Sequence, residues 1–437
     1  MVWYEAFGLL IGMIVVLMLL GMPVAIAFLA SNIVGAAIFM RGATGVEQML
    51  HNGYGAMTLF ALVPIPMFLL MGELFFYTGL ANRMFNAIDR LMGNVPGRLS
   101  YVTVAGGTAF ATLSGSSMGS TALLGSTMVP EMMRRGYNKY LSIGPILGTG
   151  GLAVIIPPSA LAVLLATLGQ TDVGDLLIAG IIPGLILATA YVVVIFLWTR
   201  LDPNAAPGYQ AVSVSIGEKL LLVVRDVIPM FLVVAACIGA MVTVISTPTE
   251  AAAVGCLAVM VLAAAYRVLT IKAIRSSLAG AMRVTVMSFF IILGSATFSQ
   301  LLAFSGASSG LIEWATSYEL APLAMLFMMI GIILLLGCFM DQLSMMLLTA
   351  PIFFPLAQTL GFDLTWFGLI LLLALEVGYT TPPFGLLLFV MKGVAPSHIT
   401  MRDVWLAATP FVACVLGLIL LVIFVPSLAL WLPGLSH

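Results

Sequence analysis

"LSGSSMGSTALLGSTMVP" (residues 113–130) puts five serines, two threonines and three glycines into the middle of an apolar run. A second apolar run is broken in the same way at "CFMDQLS" (338–344). Small hydroxyl residues and glycines carry little hydrophobic driving force, so their concentration inside otherwise apolar sequence marks places where the backbone stops being a plain helix. The surroundings of these two breaks decide what kind of molecule the chain forms.

The 437 residues are 62% hydrophobic and 8% charged, whereas a soluble domain carries roughly 25% charged residues. Apolar runs of about 20 residues, long enough for a helix to cross a bilayer, recur along the whole length. Alternating ten-residue segments of the outer-membrane barrel kind do not occur. The first run follows acidic Glu5, lacks a basic leader and has no small-residue cleavage site behind it, so it is expected to be a span and not a signal peptide. A net charge of −1 leaves no basic patch for nucleic acid. Cys237, Cys256, Cys338 and Cys414 are scattered without metal or disulfide spacing, and His51, His398 and His437 fall outside the spans.

The two breaks belong to an internal repeat. "PEMMRRGY" begins at Pro130 and "PLAQTLGF" at Pro355, 225 positions later. Gly136 precedes the pair Pro157–Pro158 by 21 residues, as Gly361 precedes Pro382–Pro383 by 21. Pro23 and Pro248, each opening a span, keep the same register. The sequence therefore predicts an all-α polytopic membrane protein of two repeats. The first covers 1–200, with a hairpin at 99–133 and a broken helix at 140–168, interrupted at "GTGG" (148–151) and "IPPS" (156–159). The second covers 226–437, with a hairpin at 321–359 and a broken helix at 364–391. Between them, 201–225 is expected to be a cytoplasmic linker, and further basic linkers are expected at 81–98 and between the spans at about 248–266 and 284–304.

If each hairpin enters and leaves on one side, each repeat crosses the membrane an odd number of times and the second is inverted. Threading the chain with "RRGYNK" (134–139) in the cytoplasm places 15 of the 16 Lys and Arg residues inside and only Arg41 outside, as the positive-inside rule requires. The N-terminus is then expected outside.

Irregular backbone survives at membrane depth only where it is buried in protein or lines a cavity, and matched Gly/Pro interruptions in two inverted halves point to a transporter's binding site. Hydroxyls and unwound carbonyls suit a hard monovalent cation such as Na⁺. Two sites are expected. One joins Ser114, Ser116, Ser117 and Ser120 to a break at Gly148, Thr149, Gly150 and Gly151. The other joins the turn at Cys338, Asp341 and Ser344 to Gly378, Thr380 and Thr381. Asp341 and Glu376 are ionisable residues at membrane depth, which are costly and usually functional. Asp341 could equally cap the hairpin turn, and Glu376 could partner a nearby donor. Glu250, near a span start, reads as a helix cap, and Glu73 has no evident role.

The stretches "SGSSMGSTALLGSTMVPEMMRRGY", "GTGGLAVIIPPS", "STPTEAAAVG", "MDQLSMMLLTAPIFFPL" and "WFGLILLLALEVGYTTPPFGLLLFVMKG" together resemble the large membrane subunit of tripartite ATP-independent periplasmic (TRAP) transporters, over about residues 21–395. The resemblance implies an elevator-type fold in the bacterial inner membrane, with Na⁺-coupled symport of a small organic anion such as a dicarboxylate, keto acid or sugar acid. It implies a periplasmic substrate-binding protein and a small membrane subunit, here expected as a separate chain, and no organic cofactor. It carries the sodium positions onto the two sites above. Contact with substrate falls on Ser116, Ser117, Pro157, Pro158, Ser159, Asp341, Glu376, Pro382 and Pro383. Competing readings are weaker. An intramembrane hydrolase lacks a histidine or paired aspartates in the spans, and a channel has no use for two duplicated hairpins. A stand-alone carboxylate symporter working without a binding protein is the nearest rival.

Overall fold

A computed structural model of the chain describes residues 2–40, 42–93, 95–114, 117–206, 215–242, 246–317, 321–337, 340–381 and 385–435. Among the described residues there are helices and no strands. Val173–Leu201, Ile216–Met241, Pro248–Ala265, Ile271–Phe304 and Met401–Phe424 are each long and apolar enough to cross a membrane. Two bent pairs are long and apolar enough only when taken together: Pro64–Tyr77 with Leu80–Leu91, at 64°, and Lys139–Ile155 with Ala160–Gly169, at 45°. Large apolar side chains such as Phe231, Leu257 and Val261 face outward, as a bilayer allows. The chain is a polytopic helical membrane protein.

Helix ends are fixed by polar caps. Thr247 and Glu250 close a reciprocal capping box on the Pro248–Ala265 helix, which accounts for Glu250. Asp363 accepts from the Trp366 amide at 2.9 Å and Asn138 from that of Tyr140 at 3.0 Å, starting the helices Leu364–Thr380 and Lys139–Ile155. Gly79, at φ 76°, takes the left-handed conformation that ends the Pro64–Tyr77 helix and turns the chain.

The helices fall into two groups by contact. Pro64–Tyr77 packs against Pro248–Ala265 and Ile271–Phe304, and the latter against Val24–Phe39. In the other group, Arg98–Ser114 and Ser117–Arg134 form the arms of the first hairpin and both lie on Lys139–Ile155. Pro322–Gly337 and Gln342–Thr359 form the arms of the second and both lie on Leu364–Thr380. Met401–Phe424 lies against both of these central helices. Several helix bounds keep the register of the sequence motifs: Ser117–Arg134 and Gln342–Thr359, like Lys139–Ile155 and Leu364–Thr380, begin and end 225 positions apart.

Four expectations need correction. Gly148–Gly151 is not unwound: the Lys139–Ile155 helix runs through it, and of the two expected interruptions only the one at residues 156–159 breaks the helix. Gly378 and Thr380 likewise lie inside the Leu364–Thr380 helix, and only Thr381 is at its end. Glycine in a membrane helix is tolerated where a neighbour must come close, and that is its use here. A Cβ on Gly151 would stand 2.8 Å from Glu376, and one on Gly107 2.9 Å from the Thr149 hydroxyl. Third, the expected linker after residue 80 is the amphipathic helix Leu80–Leu91, with Leu80, Ala81, Met84 and Phe85 buried. The basic segment near 270 is in turn the start of a 34-residue helix, Ile271–Phe304.

Candidate substrate and cation site

Both hairpins bring their second arms to one cavity. It has a volume of about 460 Å³, within the range of small-molecule sites. Ser117 and Met118 from the first hairpin, Asp341, Gln342 and Leu343 from the second, and Ala160, Leu161 and Leu164 from the second half of the broken helix form one side. Ile65, Leu69 and Glu73 of Pro64–Tyr77, with Val284, Met287 and Ser288 of Ile271–Phe304, form the other. The cavity therefore lies between the two helix groups. Its described walls are mainly apolar, contain the carboxylates of Glu73 and Asp341, and contain no lysine or arginine. Glu73 packs on Gly280, where a Cβ would stand 2.7 Å from its carboxyl group.

At the first hairpin, the buried Ser117 hydroxyl donates to the carbonyl of Gly150 at 2.7 Å. One turn on, the Thr121 hydroxyl is fully buried and has no hydrogen-bond partner among the described residues. It lies 3.0 Å from the place a Gly150 Cβ would occupy, with the Ser117 carbonyl 3.5 Å from that same point. An unpartnered buried hydroxyl is costly. Here it faces the same space over Gly150 as the Ser117 carbonyl, and an oxygen-seeking cation would satisfy it. Thr149 is occupied otherwise, donating to the Ile146 carbonyl at 3.0 Å.

At the second hairpin, Asp341 is the N-cap of Gln342–Thr359. Its carboxylate accepts from the amides of Leu343 at 3.1 Å and Ser344 at 3.4 Å, and from the Ser344 hydroxyl. Asp341 thus caps the turn and also faces the cavity. The helix N-terminus compensates part of its charge. Tyr379, at the end of the central helix, lines the cavity beside it. Thr380 donates to the carbonyl of Glu376 at 2.8 Å, and Thr381 to that of Val377.

Glu376 is elsewhere. It is 3% exposed and accepts from the Gln342 amide at 2.5 Å through Oε2, while Oε1 has no hydrogen-bond partner among the described residues. It borders a separate cavity of about 10 Å³ with Gly148, Tyr191 and Thr380, the size of one water molecule.

Of the residues singled out from sequence, Ser117 and Asp341 line the large cavity. Ser120 is buried in the arm behind Ser117. Ser159 bridges the two half-helices, donating to the Val154 carbonyl at 2.6 Å and capping at Ala162. Pro157 and Pro158 are buried in the same break. Ser116, Cys338, Pro382 and Pro383 lie outside the described residues, and Ser114 ends the first arm. Thr121, Gln342, Tyr379 and Glu73 were missed as site residues. Thr121 had a legible signal: it follows Ser117 by four positions, on one face of a helix.

Two matched hairpins and bent helices around a cavity between two helix groups define a membrane transport protein. The family model "Tripartite ATP-independent periplasmic transporter, DctM component" matches residues 11–428, and the chain belongs to that family. It is 32% identical over 378 residues to the C4-dicarboxylate TRAP transporter large permease protein DctM of Pseudomonas aeruginosa, covering 86% of each chain. To the protein of the same name in Rhodobacter capsulatus it is 29% identical, over 98% of each. The crystal structure of the Alcanivorax borkumensis YdaH transporter has a similar fold, with a TM-score of 0.61 over 90% of both chains at 14% identity. Family membership makes this chain the large permease component of a secondary transporter. It sits in the inner membrane and works with a periplasmic binding protein and a small membrane subunit.

Proposed function

We propose that the chain takes up a small organic anion, a carboxylate handed over by the periplasmic binding protein, in symport with sodium. The observation that carries this reading is the meeting of both hairpin arms at one cavity whose described walls hold two carboxylates and no cationic side chain. An anion entering such a cavity needs positive charge from another source, and bound cations supply it. Ser117, Thr121 and the Gly150 carbonyl would hold one ion, and Asp341 with Ser344 would stand beside the other. The donors are hydroxyl, carbonyl and carboxylate oxygens, which suit sodium. The helix bounds that coincide at a fixed offset support two repeats; if the second is inverted, the N-terminus and Glu313 would be outside and residues 134–139 inside. Transport would proceed by sliding of the hairpin group past the Pro64–Tyr77 and Ile271–Phe304 wall.

The test is uptake into proteoliposomes carrying the permease with its small subunit and binding protein. An inward sodium gradient should drive accumulation without ATP, and an equal potassium gradient should not. Equal uptake in both salts, abolished by a proton ionophore, would refute sodium coupling. Uptake by the permease without the binding protein would favour a stand-alone carboxylate symporter.

A further inference from the structure

We infer that Glu376 is a counter-charge shared by the two hairpin sites, the group that lets both cations be held at once. The inference rests on the two-cation reading above. Glu376 sits where the two central helices meet: Gly151 and Glu376 are 225 positions apart, the same offset that relates the helices carrying them. On one side, Oε1 lies 2.8 Å from where a Gly151 Cβ would be, and Gly151 directly follows Gly150, whose carbonyl accepts from Ser117. On the other, Oε2 is held by Gln342 at 2.5 Å, and Gln342 adjoins Asp341, the cap of the second hairpin. The carboxylate is 3% exposed and one of its oxygens has no partner among the described residues. Neither the small cavity it borders nor the large cavity beyond Gln342 has lysine or arginine in its described walls.

A buried carboxylate without a protein cation is unfavourable in its charged form, and is relieved by a proton or by a cation bound beside it; here the cation is the one proposed. Two cations close together in a low-dielectric core repel each other, and the repulsion falls mainly on the second to bind. One negative charge between them offsets that repulsion for both. Asp341 alone could not do this, because it lies on the side of the second hairpin and its charge is already engaged by the helix N-terminus.

Two variants separate charge from scaffolding. E376Q removes the charge and keeps the shape. E376D keeps the charge on a shorter side chain and disturbs the hydrogen bond to Gln342. Binding of radiolabelled sodium to the purified complex gives stoichiometry and affinity directly, with sodium-induced thermal stabilisation as a second readout. In wild type and E376D, about two ions should bind with a steep sodium dependence. In E376Q the steepness should fall to that of a single ion, and the second ion should weaken by about 5–150-fold, the usual range of coupling between sites. A purely structural role would spare the isosteric E376Q or move both variants alike, and either result overturns the inference. A wild type that binds no sodium overturns the two-cation reading itself, whereas a wild type and E376Q that are equally steep overturn only the role given to Glu376. Should E376Q not purify intact, one-ion behaviour in E376D overturns the assignment.

Discussion

Thr121→Val replaces a hydroxyl by a methyl of nearly the same volume at a fully buried position. In most buried sites the change would break a hydrogen bond and destabilise the fold. Here the Thr121 hydroxyl has no partner among the described residues, so the native side chain already bears the cost of an unsatisfied polar group, about 1–3 kcal/mol. Without sodium, Val should therefore leave thermal stability unchanged or raise it. With sodium the sign reverses. Loss of one oxygen ligand worth about 1.4 kcal/mol weakens the ion roughly tenfold. At a sodium concentration 100 times the wild-type dissociation constant, the stabilisation given by the ion would drop from about 2.7 to about 1.4 kcal/mol. Differential scanning fluorimetry of wild type and variant, each titrated with NaCl against KCl, reads both effects. A variant that loses stability in KCl and keeps the full sodium increment would show Thr121 to be a packing residue and refute the first cation site.

Asp341→Asn should fold normally, since Asn caps helices as well as Asp, yet lose sodium-dependent uptake; an unchanged sodium dependence would reduce Asp341 to a cap. Gly150→Ala sets a methyl 3.0 Å from the Thr121 hydroxyl and 3.3 Å from Leu387, and should cost about 1–3 kcal/mol by overfilling, measured as a lower unfolding temperature together with weakened uptake. Ser117→Ala should lower apparent sodium affinity about 5-fold through loss of a hydrogen bond worth about 1 kcal/mol, while the exposed control Ser126→Ala should transport as wild type. In a background free of the native cysteines, an impermeant maleimide applied to intact cells should label a cysteine at 313 and spare one at 134; the opposite pattern would invert the threading.

Composition and apolar run length were enough to read the fold class, because a chain this poor in charge has no soluble solution. The hairpins were legible from the serine stretch and its counterpart around Asp341, and the offset between them matched helix ends to the residue. The conformation at Gly148–Gly151 was not legible. Glycine clusters serve both unwinding and close approach, and only the neighbours that come close (Thr121 and Glu376) distinguish the two. Glu376 was recognised as unusual but assigned to the substrate, since sequence cannot tell which of two adjacent cavities a side chain borders. Gln342 and Thr121 went unread for a related reason: each matters through a partner more than 25 positions away in sequence. Basic segments after residue 80 and near 270 looked like linkers because charge density suggests solvent, although their spacing permits a helix.

The contact between Gly151 and Glu376 also limits how such a molecule can descend from a duplicated gene. On the duplication proposed above, both positions began as copies of one codon, and the fold brings the copies face to face. Two glutamates there would repel across a dry interface, and the second side chain would have no room, as the 2.8 Å approach to Gly151 shows. Two glycines would leave the charge out altogether. Divergence at this place was therefore a condition for acquiring the carboxylate, and a homodimer of a single repeat could not have carried it symmetrically.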